Sequence, residues 1–343
     1  MGIVRQVESP ELTDLLRTIY ALGSQIGTPI AEAGLGRTLA DDFARFILAA
    51  ANRSLEGASV LEIGSGRGYL LCALQELGAQ VMGVEPGLAC SPEAEAAGIP
   101  VMHEEFEACD IEGSFDLVIH HGVLEHVPDP VPFLRRQMGL LREGGAIVAA
   151  VPDCSEFVAH GDISMFVHEH WSYFTEPSVA TLASAIGARL SLARKAGVGG
   201  GLYCSFTSSA FPAGVEGGAG EAVELEQFPA RVDRAVGRFR ELATELIQNH
   251  ESFGVFCPGR FLNYCLLVSS WPAELRFFDD DPTLAGKYFP PLPFPVETRD
   301  ALLAKPVDTL LIMSRAFGHS IQSSLQDEPA LGSTRVVTLG ELF

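Results

Sequence analysis

The feature that most limits what this chain can fold into is a run of alternating glycines, Gly64, Gly66 and Gly68, placed directly after the apolar stretch Val60-Leu61-Glu62-Ile63. A strand that ends in such a run must turn tightly and let a ligand approach its backbone. Glycine meets both needs, because it accepts positive φ and carries no side chain. The spacing departs from the dinucleotide fingerprint Gly-x-Gly-x-x-Gly. Here the third glycine arrives one residue early and Tyr69 holds the expected place.

From residue 58 onward short apolar runs alternate with helical stretches. The pattern predicts strands over 60–63, 80–84, 99–103, 115–120 and 146–151, with helices over 69–77 and 131–141. Alternation of this kind specifies an α/β fold, a mostly parallel sheet covered on both faces. Ahead of it, 11–22 and 39–51 carry apolar residues at helical spacing, joined by a glycine-containing stretch around 27–36. That amino-terminal segment is expected to act as a lid or packing layer. Behind the sheet, 208–220 is rich in Gly, Ala, Ser and Pro and marks a boundary. A long helix over 229–250 follows, then a second set with strands over 254–257, 275–279 and 309–313. At 343 residues two domains are expected. The division read from the sequence is a helical segment 1–52, a main domain 53–208 and a smaller α/β domain 209–343.

Composition excludes more than it identifies. A chain that is 47% hydrophobic and 20% charged can bury a core. No apolar run is long enough to cross a bilayer, and the first residues lack a basic segment followed by an apolar one. Gly2 is not followed by Ser or Thr at the myristoylation spacing. A cytoplasmic protein without a membrane partner is the expectation. The net charge of −21 argues against a nucleic-acid partner, which would need clustered Lys and Arg. A small-molecule substrate, even an anionic one met by a few local arginines, is compatible with it. Seven scattered cysteines, with no Cys-x-x-Cys, fit a reducing compartment and give no support to a zinc ribbon. Nothing sets the oligomeric state.

Glu62-Ile63-Gly64-Ser65-Gly66-Arg67-Gly68 resembles motif I of class I methyltransferases, whose cofactor is S-adenosylmethionine. The resemblance implies a Rossmann-like, seven-stranded domain in which Glu62, Gly64, Ser65, Gly66 and Gly68 line the cofactor. Two later acids fit it. Glu85 ends the second strand, where a carboxylate can accept both ribose hydroxyls. Glu105 and Phe106 follow the third strand, where this fold holds adenine.

The fourth strand ends in His120-His121-Gly122-Val123-Leu124-Glu125-His126. Ligands in open α/β sheets bind at the carboxyl ends of strands, which places His120, His121 and His126 near the methyl group. Further on comes His168-Glu169-His170-Trp171-Ser172-Tyr173-Phe174, three ionisable residues among aromatics, costly to bury unless they serve a site. His168-Glu169-His170 lacks the His-Glu-x-x-His spacing of a helical zinc site and offers no third ligand, so no metal is expected.

His-Glu-His-x-Ser-Tyr-Phe after Val151-Pro152, then Gly199-Gly200-Gly201-Leu202, then a half-Rossmann carboxyl-terminal domain, resembles the sugar C-methyltransferase family. Its members methylate C3 of nucleotide-linked 4-keto-deoxysugars. A proton next to a ketone needs a base to remove it, and a histidine near its ordinary pKa suits that task. By resemblance, His170 is the candidate base, Glu169 an orienting or substrate contact and His126 a second imidazole. His121, His168, Tyr173 and Gly200 fall on the substrate side, and His120 on the cofactor side. The competing reading is that these histidines satisfy a polar core. The chain departs from the family in three places. It has no cysteine-paired zinc domain at its amino end, Val167 stands where a tyrosine precedes His-Glu-His, and Tyr203 stands where an arginine follows the glycines. The alternative acceptor is an oxygen or nitrogen of another small metabolite.

Overall fold

The computed structural model describes residues 4–7, 9–21, 35–87, 91–208, 219–289 and 292–343. Most of the glycine-containing stretch around 27–36 and of the boundary 208–220, together with Cys90, lies outside them.

The main sheet has seven strands: β1 (Ser59–Ile63), β2 (Gln80–Val84), β3 (Val101–Met102), β4 (Phe115–His121), β5 (Leu141–Pro152), β6 (Ala188–Lys195) and β7 (Gly201–Ser208). Their order is β3-β2-β1-β4-β5-β7-β6, with the first five parallel. β7 lies antiparallel between β5 and β6. A parallel sheet buried on both faces reads as continuous apolar sequence rather than as alternation. Leu61, Val118 and Ile147 feed one core, whereas Val60, Leu117, Ile119 and Val148 feed the other. Helices α1 (Leu35–Ala51) and α2 (Tyr69–Glu76) cover the second face through Phe43, Phe46, Ile47, Leu71 and Leu74. Helices α3 (Pro130–Gly139) and α4 (Glu176–Ala185) cover the first through Phe133, Leu134, Val179 and Leu182. The Asp129 carboxylate caps α3 by accepting from the Val131 N–H at 3.2 Å, and Pro130 occupies the first turn, where no amide hydrogen is needed.

The sequence pattern locates β1 to β5 to within a few residues at most ends. It does not show the β6–β7 hairpin. β6 is an edge strand with Arg189, Arg194 and Lys195 exposed, so its alternation is diluted by charge. The amino-terminal segment also holds more than helices: Val4–Arg5 pairs antiparallel with Ser172–Tyr173. Two residues are too few for a period to register.

Contacts divide the chain into two units that no single cut in the sequence can produce. One is Met1–Ser155 with His168–Ala222, and the other is Glu156–Val167 with Val223–Phe343. The second unit has five parallel strands in the order β10-β9-β8-β11-β12, where β8 is Phe253–Phe256, β9 Leu275–Phe278, β10 Val296–Glu297, β11 Thr309–Ile312 and β12 Arg335–Thr338. The excursion 156–167 belongs there for an electrostatic reason. The Asp162 carboxylate is fully buried and would be costly alone. It accepts from Arg315 Nε at 2.5 Å, Tyr264 Oη at 2.8 Å and the Ser164 N–H at 2.9 Å. Among the described residues no helix is long and apolar enough to cross a membrane.

Candidate active site

The turn after β1 is built as the glycines require. Gly64, Gly66 and Gly68 have φ of 68°, 50° and 91°. A Cβ on Gly64 would stand 2.5 Å from Val123 Cγ2, and one on Gly68 would stand 2.5 Å from Ala94 Cβ. A Cβ on Gly66 would meet nothing within 4 Å, so that face of the turn is open to a ligand. Gly68 leads into α2 without a side-chain cap, which leaves the first-turn amides of the helix facing the turn. Glu85 lies just past β2 and spans the turn: one carboxylate oxygen accepts from the Gly66 N–H and the other from the Gly87 N–H, both at 2.9 Å. Two lone pairs remain on that carboxylate for hydroxyls.

Glu62 is buried beneath the turn, and its Oε2 has no hydrogen-bond partner among the described residues. Burial, and then the neighbouring Glu85 charge, raise its carboxyl well above the usual range. Ser65 Oγ is likewise buried without a partner. Glu105 is exposed, while Phe106 is buried edge-on to Phe133 with Arg136 over its face at 4.7 Å. A glycine cradle with one open face, a bridging carboxylate and orphaned polar atoms beneath it fits an adenosyl amino acid.

The pleat of β4 sends its two histidines to opposite faces. His121 packs edge-on against Phe43 of α1 with ring centroids 5.3 Å apart, and burial lowers its pKa. His120 points toward α3, 5.8 Å from the Phe133 ring, fully buried with neither ring nitrogen hydrogen-bonded among the described residues. Burial, with a smaller push from His121, pulls His120 down to about 3. The unfolded imidazole protonates near 6.5, so the unfolded chain binds more protons between those values. This site therefore removes stability as pH falls from 6.5 toward 3, by about 1.4 kcal/mol per pH unit. His120→Leu is expected to flatten the acid decline of Tm between pH 6.5 and 4, measured by calorimetry. An unchanged slope would clear His120 of that role.

The segment after β4 and the His-Glu-His segment come together. His126 Nδ1 lies 3.1 Å from the Glu169 carbonyl, and the Trp171 N–H donates to the Glu125 carbonyl at 2.7 Å. The rings of His126 and His170 stand 4.7 Å apart at 81°, and Tyr173 is 6.0 Å from His170. Burial lowers His126 to about 4, so it does not keep the ordinary histidine pKa expected of a base. Burial also raises Glu169. His168 is exposed, and its carbonyl accepts from Gln6 Nε2 at 3.2 Å. Gly200, with φ of 70°, shapes the β6–β7 turn, and its carbonyl accepts from the Asp153 N–H.

Glu125 belongs to the cluster although no sequence motif singles it out. It is only 3% exposed, its Oε1 lies 4.0 Å from His126 Nε2, and its Oε2 has no hydrogen-bond partner among the described residues. Burial first, and Glu169 as well, push its carboxyl up to about 8. The one hint in the sequence is a carboxylate beside a histidine directly past a buried strand.

A 3-2-1-4-5-7-6 sheet, an open glycine turn after its first strand and an acid past its second form the kind of site that an S-adenosylmethionine-dependent methyltransferase domain requires. The comparisons with known proteins agree: residues 35–191 match a family described as a methyltransferase domain. The chain is similar to the ubiquinone biosynthesis O-methyltransferase of Rhizobium etli (strain CIAT 652), 37% identical over 106 residues, 29% of this chain and 42% of that protein. It is also similar to the C-methyltransferase NovU of Streptomyces niveus, 28% identical over 164 residues, 45% of this chain and 38% of that one. The chain thus spans about two fifths of the length of these relatives. A similar solved structure is the magnesium protoporphyrin IX methyltransferase from Synechocystis PCC 6803 with bound S-adenosylmethionine. Its TM-score is 0.45 at 14% identity, covering 60% of this chain and 100% of that one.

Proposed function

We propose that the chain methylates carbon in a small keto compound, a nucleotide-linked keto-deoxysugar, by way of an enolate formed beside His126 and His170. The observation that carries this reading is the pairing of those two rings, 4.7 Å apart, in the domain that holds the glycine cradle. Similarity to NovU, named a C-methyltransferase, supports the same class. A cytoplasmic location, a small-molecule acceptor and no nucleic-acid partner belong to this reading.

When bound, the cofactor supplies an electrophilic methyl group on a sulfonium. Gly64 to Gly68 and Glu85 would hold it, with Glu62 beneath, so that the acceptor carbon is presented in line; placement is the protein's main contribution. The proton on the carbon beside the ketone passes to a basic group of the cluster formed by His126, Glu169 and His170, with His170 first in line by resemblance. The C–H electron pair would be held in the enolate, whose carbon would then take up the methyl group that the bound cofactor supplies. The Nδ1 contact of His126 with the Glu169 carbonyl fixes its tautomer, leaving Nε2 as the acceptor nitrogen.

The test is isotopic. In deuterated water, with the demethylated product adenosylhomocysteine in place of the methyl donor, the enzyme is expected to exchange the hydrogen beside the ketone of a keto-deoxysugar nucleotide. Absence of exchange, with methyl arriving on oxygen, would instead establish the second reading, O-methylation, which the 37% identity to an O-methyltransferase favours.

A further inference from the structure

We propose that Glu125, His126 and His170 form a binding site for a divalent transition-metal ion of the zinc type. The inference rests on the methyl-transfer reading and deepens it, because the ion would hold the acceptor by two adjacent oxygens. One donor atom from each of the three residues lies within 4.8 Å of the other two. A point equidistant from three atoms spaced 4.8 Å apart is about 2.8 Å from each, against metal–ligand bonds of about 2.0–2.2 Å. Small side-chain rotations close that gap. Among the described residues no other trio of His, Cys, Asp or Glu is so arranged.

Three further features suit a ligand set. The buried Glu125 Oε2 lacks a hydrogen-bond partner, which is costly unless a cation or proton satisfies it. The Glu169 carbonyl at His126 Nδ1 directs Nε2 toward Glu125, the backbone contact that commonly orients a metal-binding imidazole. Gly122, at φ 65°, stands where a Cβ would come 3.6 Å from Glu125 Oε1, so its lack of a side chain keeps that side clear. Two imidazoles and one carboxylate are the donor set of open catalytic sites, with positions left for substrate. The chemistry selects an acceptor with neighbouring oxygens, an α-hydroxyketone. The ion would stabilise negative charge on the acceptor oxygen. The imidazoles are then ligands, and the proton goes to Glu169 in the same segment.

The experiment uses the full chain stripped with a chelator and titrated with Co²⁺, followed by visible absorption and competition with Zn²⁺. One equivalent is expected to bind with ligand-field bands, and Zn²⁺ to displace it. Glu125→Gln and His126→Ala are each expected to weaken binding at least tenfold, with circular dichroism confirming the fold. His319→Ala, at an exposed histidine outside the cluster, should bind as the parent does. No saturable Co²⁺ binding by the parent, or full binding by both Glu125→Gln and His126→Ala, would overturn the site. Hydrogen exchange by a chain that binds no metal would leave the methyl-transfer reading standing. Metal binding without exchange would fail the carbon-methylation reading while keeping the site.

Discussion

Gly66→Ala is expected to lose S-adenosylmethionine affinity by at least tenfold while the fold loses little, and Gly98→Ala is the control that makes the result readable. Both glycines have positive φ, 50° and 70°, and at neither would a Cβ meet another atom within 4 Å. An alanine at either position therefore has the same left-handed backbone penalty, about 1–2 kcal/mol. Only Gly66 lies in the turn that Glu85 spans. A methyl there occupies the open face through which the cofactor must approach, and it crowds the N–H that positions the carboxylate. Calorimetric titration reads the affinity and thermal unfolding reads the fold. Equal affinities in the two variants would remove the glycine turn as the cofactor cradle. Gly64→Ala is less informative, because its Cβ would strike Val123 and damage the fold as well.

What the sequence makes legible follows from how local each signal is. The glycine turn, Glu85 and the five parallel strands are local: positive φ demands glycine, and buried strands demand apolar runs. The β6–β7 hairpin is obscured because Arg189, Arg194 and Lys195 face solvent on an edge strand. The excursion 156–167 gives no sign of its allegiance, since Asp162 finds Arg315 some 150 residues away. From its residues alone the histidine segment is visible as a cost, and only the family resemblance gives it a role. Its meaning depends on which residues pack against it, and Glu125 reaches it only through the fold. His120 and His121 are separable from the strand pattern alone, because neighbours on a strand face opposite sides.

His170→Ala is expected to lower turnover about a hundredfold or more, the range for losing a positioned acid–base group and equally the result of losing a ligand of the proposed ion, and to leave cofactor affinity within a factor of about three. The split follows from where the residue sits. His170 stands against His126 and Tyr173, on the segment that Val4–Arg5 pairs with, whereas the cofactor cradle is formed by β1, β2 and Glu85. An alanine leaves the Trp171 N–H to Glu125 carbonyl bond available, so the segment keeps its anchor and the loss is chemical rather than structural. Glu85→Ala should show the reverse split, with weaker cofactor binding as the main defect. Both variants are measured under saturating cofactor for turnover and by titration for affinity. Full turnover in His170→Ala would move the chemistry to Glu169 or His126 and leave His170 as packing for the ring beside it.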